Sequence, residues 1–491
     1  MIDNKGSVNP LLASLPLPVD FDTLPELLLS EPLSSELLGT KSPQERAHLL
    51  AKIGSHFVPT STAIDIADAI LVAIYAGYEE RNPCLAEVKK RRYLVGGWQG
   101  SFRSGGPAFV AKNVRCVTIE GITGLGKSTI VDRTLSLLPQ VVIHGPSESA
   151  GWTMQKQLVW VKVDMTSDGS RLGFLMQLYQ QIDAALGTDY FSQFSAKRWP
   201  IEQHMVSVAK ILYNCFCGAL VIEEIQARNF AEAASRNVML LFFLRLANLG
   251  IPIVLIGNPL GFEGFADFSQ DVRRLSSGGR FELWPALSPQ DDDWAEFLVP
   301  GMLQFNVMSK PPAITHAAEL LFKCTGGVYD FLAKLLAQAQ LLALRRGQEC
   351  IYDADLLDAY DGATITASHN LIRALVERNE DALRQFSDIP SAAFGTRWVA
   401  MGGLRTSLPG GKVVARAPVA EVLKSSKKRR PRFQVAERMY KQKVTSEKRR
   451  GGQDSEKQQQ LPPEDLRSQG LRSVLLDNFE TMRRRRQRGK S

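Results

Sequence analysis

The sequence predicts an α/β fold in which helices cover a parallel sheet and a small helical domain follows. From Val114 onward, short and almost wholly apolar segments alternate with segments of helical spacing. Such apolar strands, separated by helices, are typical of a parallel sheet buried on both faces. The strand pattern ends after Trp284, and only helical spacing continues from about 288 to 379. These two observations predict a doubly covered sheet and then a separate helical unit.

Composition divides the chain of 491 residues into four regions. Residues 1–105 are predicted to form an N-terminal arm, extended at first, with a helical extension that begins at Ser42. Residues 106–287 form the α/β core and residues 288–390 a helical lid. Residues 391–491 are rich in Gly, Pro, Ser, Lys, Arg and Gln, which predicts disorder, with one short helix over Leu471–Arg486.

Charge is unevenly distributed along the chain. Of its 59 Lys and Arg and 51 Asp and Glu, 24 and nine lie in residues 401–491, so this tail carries +15 and the rest −7. The basic blocks Lys427–Arg432, Lys448–Arg450 and Arg483–Arg486 are able to neutralise phosphates without reading a base sequence. The asymmetry indicates an anionic partner for the tail, either nucleic acid or an acidic protein surface.

Cysteine usage and hydropathy exclude several classes of protein. The six cysteines are scattered and form no C-x-x-C pair, which argues against a metal site or a disulfide framework and favours a reducing compartment. The first ten residues do not resemble a secretory signal. The longest apolar run, Val238–Leu249, is interrupted by Arg245 and is too short to cross a bilayer. We therefore expect a cytoplasmic protein with no membrane partner.

The most specific motif is a G-x-x-x-x-G-K-S pattern between a predicted strand, Val114–Glu120, and a predicted helix, Lys127–Leu138. Glycines let such a loop turn its N–H groups toward phosphates, Lys127 reaches the β- and γ-phosphates, and Ser128 binds Mg²⁺. The predicted ATP-binding residues are Gly121, Ile122, Thr123, Gly124, Leu125, Gly126, Lys127, Ser128 and Thr129.

Two carboxylates end an apolar segment about a hundred residues later. Glu223 is predicted to hold Mg²⁺ with Ser128, and Glu224 to polarise the attacking water. An Asp is usual at the first position, so the longer side chain of Glu223 is a departure that is expected to shift the metal and slow hydrolysis.

Further polar residues follow the next predicted strand. Asn258 is a candidate sensor of the γ-phosphate, although Asn before Pro is also ordinary in a turn. Arg273, Arg274 and Arg280 are candidates for an arginine supplied to a neighbouring subunit, where it would stabilise charge in the transition state. Each of the three is equally compatible with a solvated surface.

The chain resembles TnsC, the AAA+ regulator of heteromeric transposons, and more distantly TniB and the Mu B protein. Besides the phosphate loop and the two carboxylates, the resemblance covers roughly residues 5 to 350. It includes Asn9-Pro10, Leu15-Pro16, Gly77-Tyr78, Arg81-Asn82-Pro83, Leu158–Asp164, Asp183–Gly187, Leu220–Gln226 and Gly250–Gly257.

The resemblance implies a target-DNA adaptor in the bacterial cytosol. ATP-bound copies would assemble as a ring or filament on duplex DNA, largely independently of sequence, and ATP hydrolysis would disassemble them. The assembly would connect a target-selection protein to the transposase and its endonuclease subunit. The loop after the second core strand would contact DNA, which in this chain suggests Thr166, Ser167 and Arg171.

Three alternatives share the same motifs. One is an AAA+ initiator or helicase loader, which usually carries a winged-helix domain that residues 391–491 are too polar to form. Another is a signalling NTPase, which needs a folded effector domain that the sequence does not display. The last is a nucleotide-binding switch with little turnover, which the Glu223 departure favours.

Overall fold

The computed structural model describes residues 8–33, 38–99, 102, 106–263, 273–401, 476 and 478. The chain forms two compact units. The first comprises Met1–Leu28, Ser61–Pro285 and Phe386–Pro390, and the second comprises Leu29–Thr60, Ala286–Gln385 and Ser391–Ser491.

The first unit is built around a parallel sheet. The strands are β1 Val117–Gly121, β2 Val141–His144, β3 Gln155–Leu158, β4 Trp160–Asp164, β5 Ala219–Ile225, β6 Ile253–Gly257 and β7 Gly279–Leu283. Five of them form one sheet in the order β4-β5-β6-β1-β7, and all of its pairings are parallel. The remaining two, β2 and β3, pair as an antiparallel hairpin. The predicted α/β fold with a parallel sheet is confirmed.

Helices cover the sheet in the first unit, and other helices form the second unit. In chain order they are α1 Pro10–Ala13, α2 Leu24–Leu28, α3 Pro43–Leu49, α4 Ser61–Glu80, α5 Ala86–Gly96, α6 Lys127–Leu135, α7 Arg171–Leu186, α8 Tyr190–Ser195, α9 Ile201–Asn214, α10 Arg236–Asn248, α11 Val299–Met302, α12 Ala317–Thr325, α13 Tyr329–Arg345, α14 Asp353–Tyr360, α15 Ala363–Thr366, α16 His369–Val376, α17 Glu380–Leu383 and α18 Ser391–Ala400. Among the described residues, short turns of other helical types span Leu50–Ser55, Ala227–Ala231, Pro259–Phe262 and Asp293–Leu298.

The main core of the first unit lies between the central strands and the helices α7, α9 and α10. Ile222 and Leu255 of the sheet are fully buried there, together with Phe174 of α7, Leu212 of α9 and Phe242 of α10. Because both faces of the central strands are covered, β6 is buried at every position and β5 at all but Glu224. This explains why their sequences are apolar throughout.

The helix α4 is the one stretch in the described part of the chain that is long and apolar enough to cross a membrane. Most of its apolar window is buried inside the protein, which is the pattern of a core helix. Arg81, just past its end, is also buried and donates to the Gly77 and Cys217 carbonyl oxygens at 3.0 and 2.8 Å.

The second unit is helical, as predicted for residues 288 onward. Its longest helix, α13, packs against the Leu50–Ser55 turn and against α3. Ser42 begins α3 with the predicted reciprocal cap, in which its hydroxyl accepts from Glu45 N and Glu45 Oε2 accepts from Ser42 N.

Several expectations about local structure were wrong. The predicted strand over Leu158–Asp164 is interrupted at Val159, because β3 turns back to pair with β2 whereas β4 joins the main sheet. The N-terminal arm is not simply extended, since α1 and α2 are helical, and Asn9 Nδ2 ties α1 to the Tyr78 carbonyl oxygen at 2.8 Å.

The predicted disorder from residue 391 was also wrong at its start, where α18 packs its Phe394 and Trp398 side chains inward. Residues 402–475 lie outside the described residues. Of the predicted helix over Leu471–Arg486, only Leu476 and Asn478 are described, and both are helical.

Candidate functional site

The phosphate-binding loop connects β1 to α6 at the carboxyl edge of the sheet. Gly124 and Gly126 have φ angles of 86° and 79°, a left-handed conformation that residues with a side chain rarely adopt. These glycines therefore allow the tight turn that points backbone N–H groups toward an anion at the start of α6. Ile122 and Leu125 are buried and anchor the loop from beneath.

Lys127 lies folded back onto this loop. Its Nζ donates to the Gly121 and Ile122 carbonyl oxygens at 2.8 and 2.9 Å. Burial lowers the pKa of Lys127 to about 8, and the nearby Glu224 and Glu223 carboxylates only partly oppose this effect. The lysine is thus a partly buried cation without a bonded carboxylate, and a phosphate would supply its missing counter-charge.

A cleft of about 680 Å³ opens above the loop. The P-loop, the end of β5, the end of β6 and a short segment near residue 388 together form its walls. Its lining residues are Thr123, Gly124, Gly126, Lys127, Ser128, Thr129, Glu224, Ile225, Gln226, Ala227, Arg228, Glu232, Ile256, Gly257, Asn258, Leu260, Ser387 and Asp388. Six of the nine predicted ATP-binding residues therefore face the cleft, while Gly121, Ile122 and Leu125 support it from behind.

Glu223 is buried beside the loop, with 6% of its surface exposed. Burial raises its pKa, whereas Lys162 and the Ser128 hydroxyl lower it. Lys162 Nζ lies 3.5 Å from Glu223 Oε2. The other carboxylate oxygen, Oε1, is buried and has no hydrogen-bond partner among the described residues.

A buried carboxylate oxygen without a partner is costly, and a divalent cation would satisfy it. Ser128 and Glu223 thus fit a Mg²⁺ ion that takes its remaining oxygens from phosphates and water, as Mg²⁺ commonly does. In the described part of the chain, no group of three or more His, Cys, Asp or Glu side chains is able to hold a metal alone.

Glu224 projects into the cleft from an irregular point in β5. Its φ angle is 57°, unusual for a residue with a side chain, and the pairing of β5 with β6 shifts between Ile222 and Ile225. Its Oε2 accepts a hydrogen bond from Gln226 Nε2 at 2.8 Å, and its carbonyl oxygen accepts one from Asn229 Nδ2 at 2.8 Å. At this irregularity Glu223 points toward the buried face of the sheet and Glu224 points into the cleft. The two adjacent carboxylates therefore lie in different surroundings.

Asn258 follows β6 and lines the same cleft. Its Oδ1 accepts from Leu260 N at 3.0 Å, which is the expected role of Asn before a turn, and its Nδ2 donates to the Asp388 carbonyl oxygen at 2.6 Å. The turn and sensor interpretations are therefore compatible, because one side chain both caps the turn and faces the cleft.

The three predicted arginines do not line the cleft. Arg280, on β7, forms a two-pronged ion pair with the buried Glu120 of β1, at 2.6 and 2.9 Å. Arg274 donates to the Asn248 side chain, and Arg273 is exposed. Within the first unit Arg280 is thus occupied by its own chain, whereas Arg273 lies on the surface.

The predicted DNA-contacting residues lie after β4. Thr166 donates to the Ser170 carbonyl oxygen at 3.1 Å, Ser167 is exposed, and Arg171 is the first residue of α7. Ser235 Oγ donates to the Gly169 carbonyl oxygen at 3.0 Å, which joins this loop to the segment that follows β5. None of the three predicted residues lines the nucleotide cleft.

Comparison with known proteins agrees with this geometry. Residues 111–265, which carry the P-loop, both carboxylates and Asn258, match the family described as AAA domain. The α/β core has the AAA+ fold. No curated protein matches the chain.

Three solved structures are among those to which this chain is similar. The Aeropyrum pernix ORC1 protein in complex with DNA is 16% identical, with a TM-score of 0.33 over 67% of this chain and 84% of that chain. Cdc6p from Pyrobaculum aerophilum is 12% identical, with a TM-score of 0.37 over 66% and 82%. The Thermotoga maritima RuvB Holliday junction branch migration motor is 13% identical, with a TM-score of 0.30 over 59% and 75%.

Sequence reasoning missed four side chains around this site. Arg228 lines the cleft, Gln226 bonds to Glu224, and Lys162 and Asp132 stand beside Glu223. Arg228 was detectable as a cation four residues after the second carboxylate. Lys162 and Asp132 were not, because their proximity depends on the packing of α6 against the sheet.

Proposed function

We propose that this chain binds ATP in the cleft above the P-loop and hydrolyses it. The observation that supports the proposal most is the convergence of three separate elements on one cleft. The P-loop, Glu224 at the end of β5 and Asn258 after β6 are far apart in sequence, yet they line one cleft, and Glu223 lies buried beside the loop. A chance glycine-rich turn would not have these partners.

Each residue then has a physical role in the proposed reaction. Lys127 neutralises charge on the β- and γ-phosphates, and the N–H groups of the loop bind phosphate oxygens. Ser128 and Glu223 hold Mg²⁺, which when bound neutralises charge that develops on the phosphates. Glu224 orients the attacking water and accepts its proton, and Asn258 donates from the far side of the γ-phosphate.

We further propose that the ATP-bound protein assembles on duplex DNA as a regulator of transposition. The resemblance to TnsC in residues 5 to 350 supports this role, as does a tail with a charge of +15. Thr166, Ser167 and Arg171 would contact DNA, and Arg273 or Arg274 of one copy would reach the nucleotide of the next. A target-selection protein and the transposase with its endonuclease subunit would be the partners.

Imaging of the purified protein on duplex DNA tests this assembly. Samples with ATP, a slowly hydrolysed analogue or ADP are compared by negative-stain electron microscopy, and Lys127→Ala serves as the matched variant. The proposal expects rings or filaments with either triphosphate, and none with ADP or with the variant.

Two other outcomes count against the proposed assembly. Nucleotide binding without any assembly on DNA would favour an initiator, a helicase loader or a signalling NTPase instead. If Lys127→Ala assembles on DNA as well as the wild type does, assembly does not depend on ATP binding at this loop.

A further inference from the structure

Lys162 stands between two carboxylates next to the proposed Mg²⁺ ligand. Its Nζ lies 2.6 Å from Asp132 Oδ1 and 3.5 Å from Glu223 Oε2. The Lys162 side chain is 31% exposed and that of Asp132 55%, whereas that of Glu223 is only 8% exposed. The lysine thus connects a solvated carboxylate to a buried one.

The arrangement follows from the register of two elements. In the parallel pair β4–β5, Lys162 is opposite Val221 and Asp164 is opposite Glu223. Lys162 and Glu223 are therefore diagonal neighbours on one face of the sheet. Ser128 and Asp132 lie four residues apart on α6 and so share one face of that helix. Ser128 faces Glu223, and Asp132 binds Lys162.

The two oxygens of Glu223 are consequently unequal. Oε2 faces Lys162, whereas Oε1 is buried and has no hydrogen-bond partner in the described part of the chain. Glu223 also has one more rotatable bond than the usual Asp, so ordering its carboxylate costs more conformational entropy. A fixed cation on one oxygen offsets this cost and leaves the other oxygen available.

We propose that Lys162 is a positioning residue for the metal, one that holds Glu223 Oε2 and thereby aims Oε1 at the Mg²⁺ site beside Ser128. The inference rests on the proposed ATP-binding function. It explains how the chain uses Glu at a position where Asp is usual. Groups that orient metal ligands typically change metal affinity by about 10–100-fold when they are removed.

The test measures how much Mg²⁺ the full-length protein needs in order to bind a fluorescent ATP analogue. We expect Lys162→Met to raise the half-maximal Mg²⁺ concentration about tenfold. Analogue binding in EDTA should not change, because Lys127 and the loop remain intact. Lys156→Met, a change of the same kind at a lysine on β3 that bonds to the Leu186 carbonyl oxygen instead, should leave the Mg²⁺ requirement unchanged.

The outcomes separate this inference from the proposed function. If the wild-type protein binds no nucleotide with or without Mg²⁺, the proposed function fails. If wild-type binding depends on Mg²⁺ and Lys162→Met has the same requirement, or if Lys156→Met shifts it equally, the role of Lys162 is overturned. Should Lys162→Met not fold, Lys162→Gln, whose side chain is polar but uncharged and shorter, is expected to raise the Mg²⁺ requirement at least about threefold.

Discussion

The charged side chains around the P-loop differ in how much of their counter-charge the protein itself supplies. Glu120, directly before the loop, is 3% exposed and is paired by Arg280. Lys127 is partly buried, and its Nζ is bonded to carbonyl oxygens rather than to a carboxylate. The Glu120–Arg280 ion pair therefore contributes to the stability of the fold, whereas Lys127 is available to bind an anionic ligand.

The pKa of Lys127 predicts a pH dependence of nucleotide affinity. Burial lowers that pKa to about 8, so the free protein loses the lysine charge as the pH rises through 8. Bound phosphates favour the charged form, so binding takes up a proton above this pH. At fixed Mg²⁺, we expect the Kd for ATP to change little between about pH 7 and 7.5 and to rise roughly tenfold between pH 8.5 and 9.5.

Fluorescence titration of an ATP analogue over this range measures the effect, and Lys127→Met is the control. The variant should bind weakly and without this pH dependence. A wild-type Kd that stays constant up to pH 9.5 would contradict the assigned role of the lysine.

The ion pair of Arg280 predicts an effect on stability. The same experiment tests whether Arg280 is a candidate for the arginine supplied to a neighbouring subunit. Arg280→Ala leaves the buried Glu120 carboxylate unpaired, and since the arginine is partly exposed we expect a loss of about 1–3 kcal/mol. The loss should be largest at alkaline pH and smaller when acid protonates Glu120, whose pKa is already raised by burial.

Chemical denaturation of Arg280→Ala, Arg274→Ala and the double variant Glu120→Gln/Arg280→Met separates these effects. Arg274 is exposed, so its variant should stay within about 0.5 kcal/mol of the wild type. The double variant should recover most of the loss. If Arg280→Ala is as stable as the wild type, the ion pair is not needed for the fold. Arg280 would then again be a candidate for the arginine that reaches the nucleotide site of a neighbouring copy.

At the scale of the elements, the cleft depends on the close approach of β5 and β6. A Cβ added to Gly257 would lie 2.1 Å from the Ile225 carbonyl oxygen. Asn258 N donates to that same oxygen at 2.8 Å. Glycine at the end of β6 thus allows the contact that places Asn258 opposite the P-loop.

Gly257→Ala is therefore expected to separate the two strand ends. We expect a loss of about 3 kcal/mol or more in the free energy of unfolding, because rigid backbone atoms have to move. Gly96→Ala is the control, since an added Cβ there meets nothing within 4 Å and alanine favours a helix by up to about 1 kcal/mol. Equal stability of the two variants, measured by thermal unfolding, would contradict the close approach.

The elements that the sequence predicted best are those with the plainest local signals. The alternation of apolar strands with helices predicted the main sheet, and the glycine spacing predicted the loop between β1 and α6. The hairpin β2–β3 was missed because its strands are only partly buried and have a mixed pattern. The pairings of Glu120 with Arg280 and of Lys162 with Glu223 were also missed, since both depend on register between strands distant in sequence.

At the scale of the whole molecule, charge distribution separates residues 1–400, which include the proposed nucleotide cleft, from the tail. Residues 1–400 carry a net charge of −7 and residues 401–491 carry +15. An acidic body alone would be repelled by DNA at long range, so the tail is expected to supply most of the attraction to phosphates. The proposed nucleotide cleft and most of the attraction to DNA thus belong to different parts of one chain, although Thr166, Ser167 and Arg171 of the α/β core are also proposed to contact DNA.

Phosphate release from ATP by full-length wild type and Glu224→Gln, with and without duplex DNA, tests the central claim most directly. Parallel binding measurements show whether each protein holds ATP. The account predicts Mg²⁺-dependent hydrolysis by the wild type, and a variant that binds ATP with similar affinity but hydrolyses it at least about a hundredfold more slowly. Equal rates in the two proteins, or a wild type that binds no ATP, would contradict the assignment of this cleft as an ATPase site.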